Sequence, residues 1–171
     1  MHRQALDHLR AGDMAAASVD IERLAAAVEP TARALLELAK LAAAVGDGAA
    51  AAARIDAALA LAPDVAEAHF VRGVLHELAA RPADAGASYA EALACDPTHW
   101  RAATNRAALL AEDGDPVAID EASRLLDVAE RYGRGPIPPL LVTRARIHER
   151  RGEADLAAVL RETAALLADW P

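Results

Sequence analysis

Residues 64–97 read DVAEAHFVRGVLHELAARPADAGASYAEALACDP, and the pattern of this stretch decides the fold. Two helix-forming segments meet at Pro82, and proline is favoured at the first position of a helix. The first segment carries a small residue, Gly73, near its middle. The second segment opens with Ala85 and places Tyr89 four residues later. This order of small and large residues predicts two antiparallel helices that cross closely.

The same pattern recurs upstream with a period of about 34 residues. One period before the quoted stretch, the matching positions hold Ala39, Ala51, Ile55, Ala58 and Pro63. Two periods before it, they hold Ala5, Ala17, Ile21 and Leu24. The recurrence indicates a repeat protein, in which each unit packs mainly on its neighbours.

This pattern resembles the tetratricopeptide repeat, a helix-turn-helix unit in which helix A is followed by helix B. The resemblance implies an all-α, right-handed α-solenoid of five units and ten antiparallel helices. We expect one domain over residues 1–171, with units at approximately 1–30, 31–65, 66–99, 100–137 and 138–171. The abundance of alanine and the scarcity of aromatic residues (two Trp, two Tyr and one Phe) also favour thin, closely stacked helices.

The two downstream units require short insertions. Asp115 and Pro116 predict that the fourth helix B starts early, because aspartate accepts hydrogen bonds from free N–H groups and proline suits the first helical position. Residues 132–139 contain the second insertion. The small residues of these units are Ala107, Ala122, Ala145 and Ala157.

Glycine followed by an acid separates helix A from helix B in most units. The glycines are Gly12, Gly46, Gly114 and Gly152. The quoted unit has residues 80–82 (Ala-Arg-Pro) instead and contains no glycine there. We expect Asp64 and Glu67 to form a capping box at the third helix A, and Thr31 and Thr98 to cap the second and fourth.

A net charge of −8 argues against binding to nucleic acid or to an anionic membrane, because both need a basic surface. The first residues, MHRQALDHLRAGD, lack the apolar run of a secretory signal, and no apolar run is long enough for a membrane span. Cys95 is the one cysteine, which fits a reducing compartment. We therefore expect a cytoplasmic protein. Arginine supplies nearly all of the 18 basic residues, with Lys40 the one lysine, a bias typical of GC-rich bacterial genomes.

The sequence gives little support for an enzyme active site or a metal site. His8, His76 and His148 occupy equivalent positions in separate units and cannot converge on one ion. His69 and His76 lie about 10 Å apart along one helix. Cys95 lies in an interhelical turn that offers no pocket, and the sequence has no glycine-rich phosphate loop or zinc spacing. We expect no enzymatic activity, no cofactor and no metal.

The resemblance also implies that the A helices line a concave surface that binds other proteins. By the repeat register, this surface has an apolar middle between charged flanks. The candidate groove residues are Arg33, Leu36, Lys40, Phe70, Val71, Val74, Arg101, Asn105 and Arg146. Such a surface suits an extended or helical peptide. We expect a non-enzymatic adaptor that binds a segment of a partner protein along this face.

Arginines cluster in the C-terminal part of the sequence, at Arg131, Arg134, Arg144, Arg146, Arg150 and Arg151. They could dock an acidic peptide or a carboxylate, because guanidinium pairs with carboxylate in a bidentate manner. They could also pair with the chain's own acids, such as Glu77, Glu112 and Glu149. The excess of acids favours the second interpretation.

The last helix carries apolar residues although a terminal repeat usually has a polar outer face. They are Leu156, Leu160, Leu166, Leu167 and Trp170. Arg161, which replaces the large apolar residue of the other units, suits such a polar face. We expect the apolar residues to turn inward. The alternative is a structural subunit of a larger or homo-oligomeric assembly, joined through this C-terminal edge or through the convex face.

Overall fold

The computed structural model describes residues 2–133 and 138–168. Within these residues the secondary structure consists of ten α-helices and no strand, which confirms the all-α prediction. The helices are α1 (His2–Arg10), α2 (Met14–Ala27), α3 (Ala32–Ala44), α4 (Gly48–Leu61), α5 (Ala66–Leu78), α6 (Pro82–Cys95), α7 (Trp100–Asp113), α8 (Pro116–Tyr132), α9 (Pro138–Arg150) and α10 (Ala154–Ala168). The odd-numbered helices are the A helices and the even-numbered helices are the B helices.

The chain divides into two compact units, Met1–Arg81 and Pro82–Pro171. In the first unit, α1 packs on α2 and α3 packs on α4, and α4 also contacts α5. In the second unit, α7 packs on α8 and α9 packs on α10, while α6 contacts α7. Each unit therefore contains consecutive helix pairs that contact their sequence neighbours, as expected for a repeat array.

The small residues that define the repeat are all buried. They are Ala5, Ala17, Ala39, Ala51, Gly73, Ala85, Ala107, Ala122, Ala145 and Ala157. The large apolar position of helix B is buried too, at Ile21, Ile55, Tyr89 and Leu126. Small side chains at these positions let the two helices of a pair approach closely, which is the physical basis of the sequence pattern.

The turn after α5 adopts the backbone conformation of the other turns without a glycine. Gly46 and Gly114 follow their A helices with φ angles of +83° and +82°, and Ala80 takes the equivalent place with φ +55°. The left-handed region is costly for a residue with a Cβ atom, by about 1–2 kcal/mol. The backbone N–H of Ala80 donates to the Glu77 carbonyl at 2.9 Å, so the helix end imposes this conformation.

Ala80→Gly is expected to raise the free energy of unfolding by about 0.5–1 kcal/mol. Glycine removes the left-handed strain, and its larger unfolded-state entropy offsets part of the gain. Urea unfolding followed by circular dichroism measures the change. Gly46→Ala is the matched control, since open space surrounds its Cβ position and the same backbone strain should destabilise it by about 1 kcal/mol. A decrease in stability for Ala80→Gly would contradict the argument.

Several predicted helix caps are confirmed. Thr31 Oγ1 accepts from the Ala34 N–H at 3.2 Å. The acids after the turns behave in the same way, with caps by Asp13, Asp47 and Asp115 at 3.0, 2.9 and 3.1 Å. Pro116 is the first residue of α8, as predicted from its place after Asp115. Three of the B helices therefore start where the sequence places an aspartate.

Two predicted caps are wrong. The N-cap of α5 is Val65, which makes no side-chain cap, so Asp64 lies one residue too early for a capping box with Glu67. The N-cap of α7 is His99, whose Nδ1 accepts from the Ala102 N–H at 3.2 Å. Thr98 donates instead to Asp96, from its hydroxyl at 2.7 Å and from its N–H at 2.9 Å. These two hydrogen bonds, with the one from the hydroxyl having the larger effect, lower the pKa of the Asp96 carboxyl.

Candidate functional site

The A helices form the more closely spaced layer within each compact unit. In the second unit α7 packs against α9, and in the first unit α3 approaches α5. Among the described residues, the neighbouring B helices α6 and α8 make a less extensive contact than α7 and α9. Consecutive A helices, which contain the candidate groove residues, therefore lie closer together than consecutive B helices.

Six candidate groove residues lie on α3 and α5 of the first unit, and we call them the α3–α5 face: Arg33, Leu36, Lys40, Phe70, Val71 and Val74. Arg33 is exposed and makes no ion pair among the described residues. Lys40 is half-buried between two acids, with its Nζ 3.0 Å from Glu37 and 3.4 Å from Glu67. The pair with Glu67 links α3 to α5, so Lys40 holds two A helices together.

The apolar residues of the α3–α5 face are less accessible than a groove floor needs to be. Leu36 is 6% exposed, and Phe70 and Val71 are each 8% exposed. Val74 is half-buried and is the most accessible of the four. Most of the apolar area that the sequence assigns to this face is therefore packed inside the protein.

Three candidate groove residues lie in the second unit on α7 and α9, and we call them the α7–α9 face: Arg101, Asn105 and Arg146. Arg101 is exposed, and Asn105 Nδ2 donates to the Tyr89 hydroxyl at 3.1 Å. Arg146 Nη1 donates to Glu112 Oε1 at 2.8 Å and joins α9 to α7. Asn105 and Arg146 are thus held in fixed positions by neighbouring helices.

Three of the C-terminal arginines, Arg144, Arg146 and Arg151, pair with the chain's own acids, as the second interpretation predicted. Arg144 donates to Asp127 at 2.9 Å, and Arg151 donates to Asp120 at 2.7 Å. The guanidinium of Arg131 lies 5.6 Å from the Tyr132 ring centroid. Arg134 lies outside the described residues. These partners neutralise much of the positive charge that an acidic peptide would need.

Among the described residues, Arg150 binds a backbone group and not a carboxylate. Its Nη2 donates to the backbone carbonyl of Glu112 at 3.3 Å. Its guanidinium covers the turn after α7, where a Cβ atom added to Gly114 would meet Arg150 Nη1 at 3.1 Å. Arg146 and Arg150 therefore both hold the end of α7 from α9. The role of these arginines is to connect consecutive A helices.

Sequence reasoning missed the acid partners of two histidines. His8 Nδ1 lies 3.1 Å from Asp20 on the next helix, and His148 Nδ1 lies 2.6 Å from Glu153. The acids are 12 and 5 residues away from their histidines in the sequence, so no short sequence motif predicts these pairs. Among the described residues, no group of three or more His, Cys, Asp or Glu side chains is placed to hold a metal ion.

A cleft of about 590 Å³ between α6 and α7 was also missed. Its α6 wall consists of small residues, Pro82, Ala83, Gly86, Ala87 and Ala90. The α7 wall consists of Arg106, Leu109, Leu110, Glu112 and Asp113. The run of alanine and glycine on one side of α6 was the available signal. Arg106 at the rim is paired with Glu121 at 2.7 Å.

The prediction that the apolar residues of the last helix all turn inward is wrong. Leu156 and Leu166 are exposed, at 45% and 68%, while Leu160 and Leu167 are half-buried. Trp170 lies outside the described residues. The side chain of Arg161 is 52% exposed, in agreement with its predicted place on a polar outer face. Leu156 and Leu166 are exposed because α9 covers only the side of α10 that contains Ala157 and Ala164.

Comparison with solved structures identifies the same fold in several proteins. MamA protein superposes with a TM-score of 0.71 at 17% identity, covering 95% of this chain and 86% of that one. Pseudomonas aeruginosa pilF gives 0.75 at 18% identity, with coverages of 91% and 69%. A tetratricopeptide repeat protein from Parabacteroides merdae gives 0.74 at 17% identity, with coverages of 98% and 66%. No protein-family model and no curated protein sequence matches this chain. None of the described helices is both long and apolar enough to cross a bilayer.

Proposed function

Because this chain has the tetratricopeptide-repeat fold, we propose that it is a non-enzymatic adaptor that binds a segment of a partner protein along its A helices. The observation that carries the proposal is the set of charged links between consecutive A helices. Lys40 and Glu67 join α3 to α5, and Arg146 and Glu112 join α7 to α9. A surface held in this way loses little conformational entropy when a ligand binds.

The accessible side chains determine what kind of segment would bind. Arg33 on α3 is exposed and makes no ion pair among the described residues, and Val74 on α5 offers partly exposed apolar area. The ammonium of Lys40 is already shared by Glu37 and Glu67. The α3–α5 face therefore favours a short segment in which an apolar side chain lies next to an acidic one.

The contribution of the α7–α9 face is mainly polar. Asn105 is held by Tyr89, so its amide has a fixed orientation. Asparagine can accept and donate hydrogen bonds to the backbone of an extended peptide. Exposed Arg101 adds a further positive charge one turn earlier on α7. We infer that the partner segment is extended and acidic at this end.

Peptide selection on the purified chain tests this function. A random peptide library is selected against the immobilised chain, and the affinity of the enriched peptides is measured by fluorescence anisotropy. Arg33→Glu or Arg101→Glu is expected to weaken binding at least about tenfold, because each change places a carboxylate against an acidic peptide. Both side chains are exposed, so the fold should persist.

Arg124→Glu on α8 is the matched control. Arg124 is exposed and undergoes the same change of charge, but it lies on a B helix, so less than about a twofold change is expected. Equal losses in all three variants would show that net charge, and not the A-helix surface, governs binding. The failure of every peptide to enrich would contradict the adaptor function.

The alternative function, a subunit of a larger or homo-oligomeric assembly, depends on a different surface. That surface is the exposed apolar side of α10, which contains none of the groove residues.

A further inference from the structure

The helix α10 exposes large apolar side chains along one side. Leu156, Val159 and Leu166 are 45%, 58% and 68% exposed. With half-buried Leu160 and Leu167 and exposed Thr163, they recur every three or four residues and share one side of the helix. We call this set the α10 stripe: Leu156, Val159, Leu160, Thr163, Leu166 and Leu167.

The repeat itself does not require apolar residues at these positions. When Ala157 of α10 is aligned with Ala85 of α6, Leu156, Thr163 and Leu166 correspond to exposed residues of α6. Those residues are Asp84, Glu91 and Ala94. At these three positions α6 is exposed to solvent, whereas α10 has leucine at two of them and threonine at the third. A large exposed apolar patch of this kind marks an interaction site.

The α10 stripe also differs from the side of a B helix that faces the next A helix. In α6 that side includes Gly86, whose Cβ position lies 3.8 Å from Leu109 of α7. The equivalent residue of α10 is Ala158, two residues after Leu156. Two residues correspond to roughly 200° around a helix, so Ala158 and Leu156 point in opposite directions. Most of the stripe therefore lies outside the surface on which a further repeat would stack, and Val159, which corresponds to Ala87 of the α6 wall, is the residue the two surfaces share.

Two polar side chains beside the stripe, Thr163 and Arg161, already have hydrogen-bond partners. Thr163 Oγ1 donates to the Val159 carbonyl at 2.9 Å, so its hydroxyl is satisfied within the helix. Arg161 Nη2 donates to Glu149 at 2.8 Å, away from the stripe. Covering the stripe would thus bury apolar surface without leaving either of these two groups unpaired.

We propose that the α10 stripe is a homodimer interface, in which two α10 helices pack antiparallel about a two-fold axis. Leu156, Leu160, Thr163 and Leu167 are separated by four, three and four residues, a spacing that reads the same in both directions. A two-fold axis near residues 161 and 162 places Leu156 beside Leu167 of the partner subunit and Leu160 beside Thr163 of the partner subunit. These four positions are self-complementary, as an isologous interface requires, and Val159 and Leu166 lie at the edge of the paired surface.

The size of the stripe sets the strength of the association. The 15 residues of α10 are about 22 Å long, so the paired helices bury less than the roughly 1,200 Å² typical of a stable complex. The dimer is therefore weak, with a Kd on the order of 10 µM or above. The protein would be monomeric when dilute and dimeric when concentrated.

The charges next to the stripe give the dimer a distinctive response to salt. Asp155 and Glu162 flank Val159 and Leu166 and make no ion pair among the described residues. The two-fold axis brings the acids of both subunits to the same side of the helix pair, where they repel each other. Salt screens this repulsion and should tighten the dimer. A basic amphipathic helix as the partner would show the opposite dependence.

Sedimentation velocity of the purified chain from about 1 µM to about 500 µM tests the proposal. The expected result is a monomer–dimer equilibrium whose Kd falls as NaCl rises. Val159→Glu combined with Leu166→Glu should weaken the dimer at least about tenfold, because it adds four carboxylates at the edge of the seam, on the side where Asp155 and Glu162 already repel each other. Both positions are exposed, so an unchanged thermal melt should accompany the loss of association.

Ala158→Glu is the control, because Ala158 is exposed and is not part of the α10 stripe, so the change should leave the Kd nearly unaltered. A chain that stays monomeric at every concentration would overturn the proposal, and so would a dimer that the double variant leaves intact. A dimer that salt weakens would exclude the antiparallel arrangement. Peptide binding by the A helices does not depend on these residues, so the two functions fail or succeed separately.

Discussion

Leu126→Ala is expected to lower the free energy of unfolding by about 2–5 kcal/mol. The Leu126 side chain is fully buried in the core of the second unit, in a cluster that includes Ile119, Leu140 and Ile147. Alanine would remove apolar atoms from this cluster and leave a cavity, which the surrounding helices can fill only in part. Both effects act in the same direction.

Urea unfolding monitored by circular dichroism measures this loss. Arg161→Ala is the matched control, because Arg161 occupies the same repeat position in α10 and its side chain is 52% exposed. Its ion pair with Glu149 lies at the surface, so its removal should cost about 1 kcal/mol or less. Similar losses in the two variants would show that the repeat register assigned to α8 and α10 is incorrect.

The repeat architecture could be predicted from the sequence because it depends on steric rules that recur. A buried position where two helices cross admits only a small side chain, so alanine or glycine appears there in every unit. The same reasoning identifies Ile55 and Leu126 as buried, and the turn glycines as residues with positive φ. The turn at Ala80 shows its limit, since tertiary structure imposes the conformation there on a residue that does not prefer it.

Helix starts were predicted less well because neighbouring residues compete for the same role. Thr98 and His99 can both cap α7. Because the Thr98 hydroxyl donates to Asp96, His99 is the residue that caps the helix. The partners of His8 and Arg146 lie on other helices, and their distances depend on how the pairs pack. Such contacts between helices cannot be predicted from the local sequence.

The degree of burial was the least predictable property of the candidate site. The repeat register assigns Phe70 and Arg33 to the same surface, but Phe70 is 8% exposed and Arg33 is exposed. Periodicity gives the direction of a side chain from the helix axis, whereas accessibility depends on the size of the neighbouring side chains. The α10 stripe shows the reverse case, since leucine spacing typical of a buried side is found there on an exposed one.

Phe70→Glu is expected to destabilise the first unit by about 3 kcal/mol or more. The substitution places a carboxylate at a position that is 8% exposed, where charge is poorly solvated, and removes the largest apolar side chain of the α3–α5 face. For a chain of this size, such a loss lowers the melting temperature by roughly 10 °C. Thermal unfolding followed by far-ultraviolet circular dichroism measures this change in melting temperature.

The result decides how the adaptor function can be tested. If Phe70→Glu melts far below the wild type, the loss of a bound peptide in this variant reports unfolding, and the exposed Arg33→Glu is the informative change. Arg33→Glu should shift stability by no more than about 0.5 kcal/mol, as is usual for an exposed site. If Phe70→Glu instead melts like the wild type, the carboxylate reaches solvent. The α3–α5 face then opens more readily than its packing indicates, and Phe70 becomes a direct test of peptide contact.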